Sequence, residues 1–84
     1  MRQMKRNIKT RRTPEEDRLL QIIAKNLKKL RIENNLTQEK AADALKMHLV
    51  SYQKYESQRP YHMKVFTLYK IAQYFDVTVD SLLK

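Results

Sequence analysis

The chain has 84 residues, with no Gly, no Cys and only two Pro. This length fits one small domain, the lack of Cys excludes disulfides and thiolate metal sites, and a glycine-free sequence is hard to reconcile with a turn-rich β fold. No apolar run approaches the ~18 residues of a membrane span. We therefore expect an all-α, soluble, cytoplasmic protein without a metal or other cofactor.

Positive charge is concentrated at the N-terminus. The net charge is +9, and residues 1–12 contain six basic residues and no acid. These six are Arg2, Lys5, Arg6, Lys9, Arg11 and Arg12. Residues 13–84 hold twelve basic and nine acidic residues, a net of only +3. We interpret residues 1–13 as a flexible basic arm, and residues 14–84 as the folded domain. A basic arm predicts a polyanionic partner, while an extension that only aids solubility is the alternative.

The first predicted helix begins at "TPEED". Thr13 can accept a hydrogen bond as the N-cap, Pro14 suits the first helical position, and Glu16 completes a capping box. An apolar stripe then continues to about Asn34 and consists of Ile23, Leu27 and Leu30. Asn35 is expected to take the left-handed conformation that ends the helix.

Two short helices separated by about three residues follow. Thr37 can cap "QEKAADAL", whose alanines allow a neighbouring helix to approach closely. The next helix starts near Leu49. Tyr52 and Tyr55 lie on one side of it and are predicted to face the core, because their spacing of three places both on the same face.

Pro60 makes "QRPYH" a loop, and a fourth helix, "MKVFTLYKIAQYF", comes next. Its predicted core stripe consists of Val65, Leu68, Ala72 and Phe75. Three aromatic residues lie off this stripe, and we expect them to pack against the terminal helix, with a subunit interface as the alternative: Phe66, Tyr69 and Tyr74. Thr78 can cap the short final helix.

Three blocks in this order resemble the Cro/phage-repressor (XRE-like) helix-turn-helix family. They are "LRIENNLTQEKAADAL" (30–45), "YQKYE" (52–56) and "LYKIAQYFDVTVDSLL" (68–83). The resemblance implies a compact five-helix bundle. Its third helix would lie in the major groove of double-stranded DNA and its second would cross the phosphate backbone. Members of the family usually bind two-fold operators as homodimers.

The resemblance also implies which residues contact DNA. Gln38 matches a residue that touches a phosphate and can buttress the reading helix. Arg59 and Lys64 are the loop candidates for phosphate contacts. The positions that face base edges or nearby phosphates are Leu49, Val50, Ser51, Gln53 and Lys54. Arg11 and Arg12 would contribute from the arm. The remaining matches concern structure: Glu56 would pair with Arg31, and Leu82 and Leu83 would lie where dimer contacts are common.

The sequence departs from the family pattern at two places in the turn. Lys46 replaces the turn Gly, and a positive φ would cost Lys roughly 1 kcal/mol. We therefore expect either a less tight turn or a preceding helix that is one residue longer. His48 stands where Ser or Thr would cap the third helix, which predicts a weak cap.

Together these features predict a sequence-specific DNA-binding transcriptional regulator of bacterial or phage origin, a repressor acting as a homodimer. No catalytic set of residues is visible, so we do not expect an enzyme. Two alternatives stay open. One is an antitoxin-type protein-interaction module, with a toxin or another regulator as partner and autoregulatory DNA binding. The other is a nonspecific nucleic-acid binder driven by the arm.

Overall fold

A computed structural model describes residues 12–84, and this part of the chain forms five helices and no strand. We number the helices α1 to α5 in chain order: Pro14–Glu33, Gln38–Ala44, Leu49–Glu56, Val65–Phe75 and Val79–Leu82. The predicted all-α five-helix architecture is confirmed. The basic segment up to Arg11 lies outside the described residues. Between Arg12 and Lys84, no helix is long and apolar enough to cross a membrane.

Three helices begin at a threonine that caps them, as the sequence predicts. The Thr13 hydroxyl accepts a hydrogen bond from the Glu16 backbone N–H at 3.1 Å, and the Glu16 carboxylate accepts one from the Thr13 N–H at 2.7 Å. Thr37 and Thr78 each accept a bond from the backbone N–H three residues later. These bonds satisfy N–H groups that have no partner inside the helix.

Three helices also end in the left-handed conformation, and no glycine is used. Asn35, Lys46 and Asp76 have φ values of 57°, 56° and 57°. At the end of α2, the Met47 N–H donates to Ala42 O and the Lys46 N–H donates to Asp43 O, each at 3.0 Å. This is the Schellman pair of hydrogen bonds. The expectation of a looser turn or a longer helix at Lys46 is therefore wrong, because Lys46 takes the conformation that suits glycine. The prediction for Asn35 is confirmed.

The core forms where α1, α2, α3, α4 and α5 meet. Its most deeply buried large side chains are Leu27, Tyr52, Ile71 and Leu82, none of which is more than 1 % exposed. Ala41 and Ala42 of α2 are also buried. Their small side chains let α2 lie close to the helices beside it, which fixes the position of α3 in the helix-turn-helix unit.

The predicted stripe of α4 needs correction. Val65 is 83 % exposed, whereas Ile71, which lay outside the predicted stripe, is 1 % exposed. The helix starts at Val65 and not at Met63, so Val65 lies at its free end. The inner face of α4 therefore consists of Leu68, Ile71, Ala72 and Phe75.

The aromatic residues beside that stripe point outward. Phe66, Tyr69 and Tyr74 are 66 %, 49 % and 47 % exposed, so the expected packing against the terminal helix is not found. On α3, Tyr52 is fully buried as predicted, but Tyr55 is only half-buried.

Candidate nucleic-acid interface

The outward side of α3 presents apolar side chains first and polar ones later. Val50 is 64 % exposed and Leu49 is 37 % exposed. Gln53 and Lys54 are exposed one turn later, while Ser51 is half-buried. His48 precedes the helix without making a capping hydrogen bond, as predicted. A continuous row of exposed side chains thus runs along the helix.

The inner side of α3 is fixed by Tyr52 and Glu56. The Tyr52 ring is buried in the core, and its hydroxyl donates a hydrogen bond to the Glu56 carboxylate. Arg31 on α1 donates to the same carboxylate twice, from Nε at 2.8 Å and from Nη2 at 3.2 Å. The predicted pair of Arg31 and Glu56 is therefore confirmed. This bidentate ion pair fixes both the position and the orientation of the carboxylate.

Glu56 is the central acceptor of this network. The Gln38 amide also donates to it, at 3.1 Å. Burial alone would raise the pKa of Glu56, but the hydrogen bonds from Arg31, Tyr52 and Gln38 outweigh burial and lower it. The bond to Glu56 raises the pKa of Arg31. Burial, followed by the bond to Glu56, raises the pKa of Tyr52. The network therefore holds a charged Glu56 and a neutral Tyr52 at neutral pH.

Gln38 links this network to the exposed side of α3. While its amide N–H donates to Glu56, its Oε1 accepts a hydrogen bond from Gln53 Nε2 at 3.4 Å. Gln53 keeps its carbonyl oxygen and its second N–H available. Those are the two groups with which a glutamine can recognise adenine.

The loop after α3 folds back onto the end of that helix. Its Tyr61 N–H donates to Lys54 O at 3.4 Å, and the Lys54 ammonium lies 5.5 Å from the centre of the Tyr61 ring. This cation–π contact directs the Lys54 side chain. Arg59 of the same loop is exposed. The sequence did not predict the contact of Tyr61 with Lys54, because a single aromatic residue after Pro60 does not indicate how the loop folds.

Arg12 ties the start of α1 to this loop. Its guanidinium donates to Pro60 O and lies 3.8 Å from the Asp17 carboxylate. Gln21 adds a hydrogen bond to Gln58 O at 3.2 Å. The predicted arm therefore joins the domain beside the loop that follows α3. Of the two predicted arm contacts, Arg12 is engaged within the domain and Arg11 lies outside the described residues.

Within residues 12–84, no cluster of His, Asp and Glu side chains is arranged to hold a metal ion.

Comparison with known proteins identifies the family. A helix-turn-helix family model matches residues 27–82, two thirds of the chain, and the match includes both α2 and α3. No curated protein matches the chain, and no solved structure does. The matched segment covers the blocks that resemble the Cro/phage-repressor family. The chain belongs to the helix-turn-helix family of the XRE (Cro/phage-repressor) type and is a DNA-binding transcription regulator.

Proposed function

We propose that the protein is a repressor that binds a two-fold DNA operator as a homodimer, with α3 in the major groove and α2 across the phosphate backbone. One observation carries this proposal. The inner side of α3 is fixed by Tyr52 and Glu56, while Leu49, Val50, Gln53 and Lys54 stay exposed on its outer side. A helix fixed in this way can hold its exposed side chains against base edges.

The exposed residues of α3 suggest the chemistry of base recognition. Gln53 can bond adenine through N6 and N7, and Lys54 can donate to O6 and N7 of guanine. Leu49 and Val50 can pack against thymine methyl groups. Ser51 is half-buried, so we assign it to the edge of the contact.

Phosphate contacts would set the register of this helix. Gln38 keeps one amide N–H beyond its bond to Glu56. Arg59 is exposed in the loop after α3. Arg11 and the rest of the basic arm would follow the DNA from the point where Arg12 meets Pro60. Arg12 itself would add positive charge at the edge of this surface.

A homodimer is favoured because one copy of α3 offers few base contacts. Each mismatched base pair costs only ~1–3 kcal/mol, and specific binding usually exceeds nonspecific binding by at least ~10³. Two copies double the number of contacts. Their half-sites should lie about 34 Å apart, one turn of the double helix. We infer repression and not activation because such a dimer, bound over a promoter, would block transcription without contacting another protein.

The test is selection of bound duplexes from a random pool, followed by footprinting of the selected sequence. We expect two inverted half-sites about 34 Å apart. We also expect a preference of ~10³ or more over random DNA at fixed salt. Equal binding to all duplexes would contradict the proposal and support the nonspecific alternative.

A further inference from the structure

The loop that follows α3 returns to that helix and contacts Lys54 through a single residue. The Tyr61 backbone N–H donates to Lys54 O at 3.4 Å, and the centre of the Tyr61 ring lies 5.5 Å from the Lys54 ammonium. Tyr61 thus contacts both the main chain and the end of the side chain of Lys54. It is not among the residues for which the family resemblance implies a contact with DNA.

The position of Tyr61 is fixed by its neighbours in the loop. Pro60 is fully buried, and its carbonyl accepts a hydrogen bond from the Arg12 guanidinium. The Gln58 carbonyl accepts a second bond, donated by Gln21 Nε2 on α1 at 3.2 Å. The ring of Pro60 also restricts the backbone next to Tyr61. The Tyr61 side chain is consequently in place before any DNA is bound.

The ring of Tyr61 contributes little to the core. Its side chain is 55 % exposed, whereas Tyr52 is fully buried and Tyr55 packs against the core cluster. The Tyr61 ring instead contacts the Lys54 ammonium on the exposed side of α3. Removing the ring should therefore release Lys54 and leave the core intact.

A restrained ammonium can select a base more sharply than a free one. Lysine has a long flexible side chain, and its ammonium is a compact charge with three N–H donors. A free ammonium beside DNA can pair with any nearby phosphate, and phosphate contacts carry no sequence information. The face of an aromatic ring attracts the ammonium through the charge distribution of the ring. Donors then remain for O6 and N7 of guanine.

We propose that Tyr61 is a positioning residue for operator recognition, whose ring holds the Lys54 ammonium where it reads guanine at a single base pair of each half-site. This inference rests on the proposed function, in which α3 lies in the major groove. It adds a specificity determinant from the loop, which lies outside the helix-turn-helix unit. Each half-site of the operator should then contain one guanine whose recognition depends on Lys54 and Tyr61 together.

Competition binding of Tyr61→Leu tests the role of the ring. The selected duplex is compared, at one salt concentration, with duplexes in which each base pair is changed in turn. We expect the preference for guanine at one position of each half-site to fall roughly fivefold or more, because the cation–π contact contributes a factor of about two to five in each of two copies. Discrimination at the other positions should be unchanged. Tyr61→Phe keeps the ring and should behave like the intact protein.

Further variants separate positioning from a general loss of structure. Tyr69→Leu removes another exposed tyrosine, on α4, and should leave every preference intact. Tyr61→Gln is a second variant without the ring and should reproduce Tyr61→Leu. In the background of Lys54→Ala, Tyr61→Leu should have no further effect, since a residue that acts through Lys54 is energetically coupled to it.

NMR of the free protein provides a readout that does not depend on DNA. The Lys54 ε-methylene protons should show a ring-current shift in the intact protein and in Tyr61→Phe, and lose it in Tyr61→Leu. The absence of this shift in the intact protein would overturn the inference.

The binding experiments can also overturn it. An equal loss on every duplex would show that Tyr61 supports the fold or a phosphate contact instead. A loss in Tyr61→Phe as large as that in Tyr61→Leu would exclude a role for the ring. If Lys54→Ala loses the guanine preference and Tyr61→Leu keeps it, this inference fails while the proposed function stands. Selection of no duplex at all would contradict the proposed function, and this inference with it.

Discussion

Lys46 adopts an unfavourable left-handed backbone conformation at the end of α2. Its φ of 56° is the conformation that glycine adopts most easily, and a side chain there costs roughly 1 kcal/mol. The hydrogen bonds from Met47 to Ala42 and from Lys46 to Asp43 hold the turn nevertheless. The sequence revealed the conflict at this position, but not that these backbone bonds outweigh it.

Lys46→Gly should therefore stabilise the domain. We expect a gain of about 1 kcal/mol, which raises Tm by roughly 4–8 °C in a domain of this size. Thermal unfolding followed by circular dichroism measures the change. Lys29→Gly, the same substitution in the exposed middle of α1, is the control and should lower stability by about 1 kcal/mol. A loss of stability in Lys46→Gly would show that the turn is not under strain.

Glu56 should make the free energy of unfolding of the domain depend on pH in the acid range. Its side chain is 3 % exposed, and its hydrogen bonds lower its pKa below the ordinary value of 4.5. The unfolded chain therefore takes up this proton first. The stabilisation is present above about pH 4.5 and is lost as pH falls through the lower pKa of the folded state.

The variant Glu56→Gln isolates this effect. It should lower the free energy of unfolding at neutral pH by about 3 kcal/mol, because Arg31 loses its buried counter-ion. It should also flatten the acid dependence. Urea unfolding between neutral and acid pH measures both changes. Glu33→Gln removes an exposed carboxylate at the end of α1 and should leave the acid dependence nearly intact. Equal curves for the two variants would contradict the role of Glu56.

The packing of α3 against the core depends on Tyr52 more than on Tyr55. Tyr52 is fully buried, whereas Tyr55 is half-buried. Tyr52→Ala should cost about 3–5 kcal/mol, as large core truncations do, and Tyr55→Ala should cost clearly less. Tyr52→Phe should cost about 1 kcal/mol, because only the bond to Glu56 is lost. Chemical unfolding compares the three variants, and a larger loss in Tyr55→Ala would contradict this order.

Helix starts could be predicted from the sequence because their causes are local. Thr13, Thr37 and Thr78 each bond an N–H three residues later, whatever the rest of the fold does. The inner face of α4 could not be predicted as well. The predicted stripe included Val65, which lies in the exposed first turn of the helix, and omitted Ile71, which is buried. Where α4 begins depends on how the loop through Pro60 packs on α1, which is a tertiary effect.

The candidate DNA-binding site could also be predicted only in part. The family resemblance gave the Arg31–Glu56 pair, and outward polar residues on α3 followed from periodicity. The contact between Lys54 and Tyr61 did not, because it requires the loop to fold back onto α3. The link from Gln38 to Gln53 spans two helices, and its geometry depends on their packing. Contacts of this kind are not encoded in the spacing of residues along one helix.

Positive charge is divided unequally between the basic arm and the folded domain. Residues 1–12 carry a net +6 and residues 13–84 a net +3. Removing residues 1–11 keeps Arg12, and with it the contact to Pro60. If the arm contacts DNA, each lost phosphate contact should reduce the slope of log K against log salt by about 0.9. Titrations at several salt concentrations measure this. An unchanged affinity and slope would show that the arm does not contact DNA.

The central claim is that α3 reads the operator, and competition binding of the double variant Gln53→Ala/Lys54→Ala tests it most directly. Both the selected duplex and a random duplex are measured at one salt concentration, beside the intact protein. We expect the variant to keep its thermal stability, because both side chains are exposed. Its preference for the selected duplex should fall by tenfold or more, since each good base contact contributes ~1–3 kcal/mol of discrimination. A folded variant that keeps the full preference would show that another surface reads the DNA.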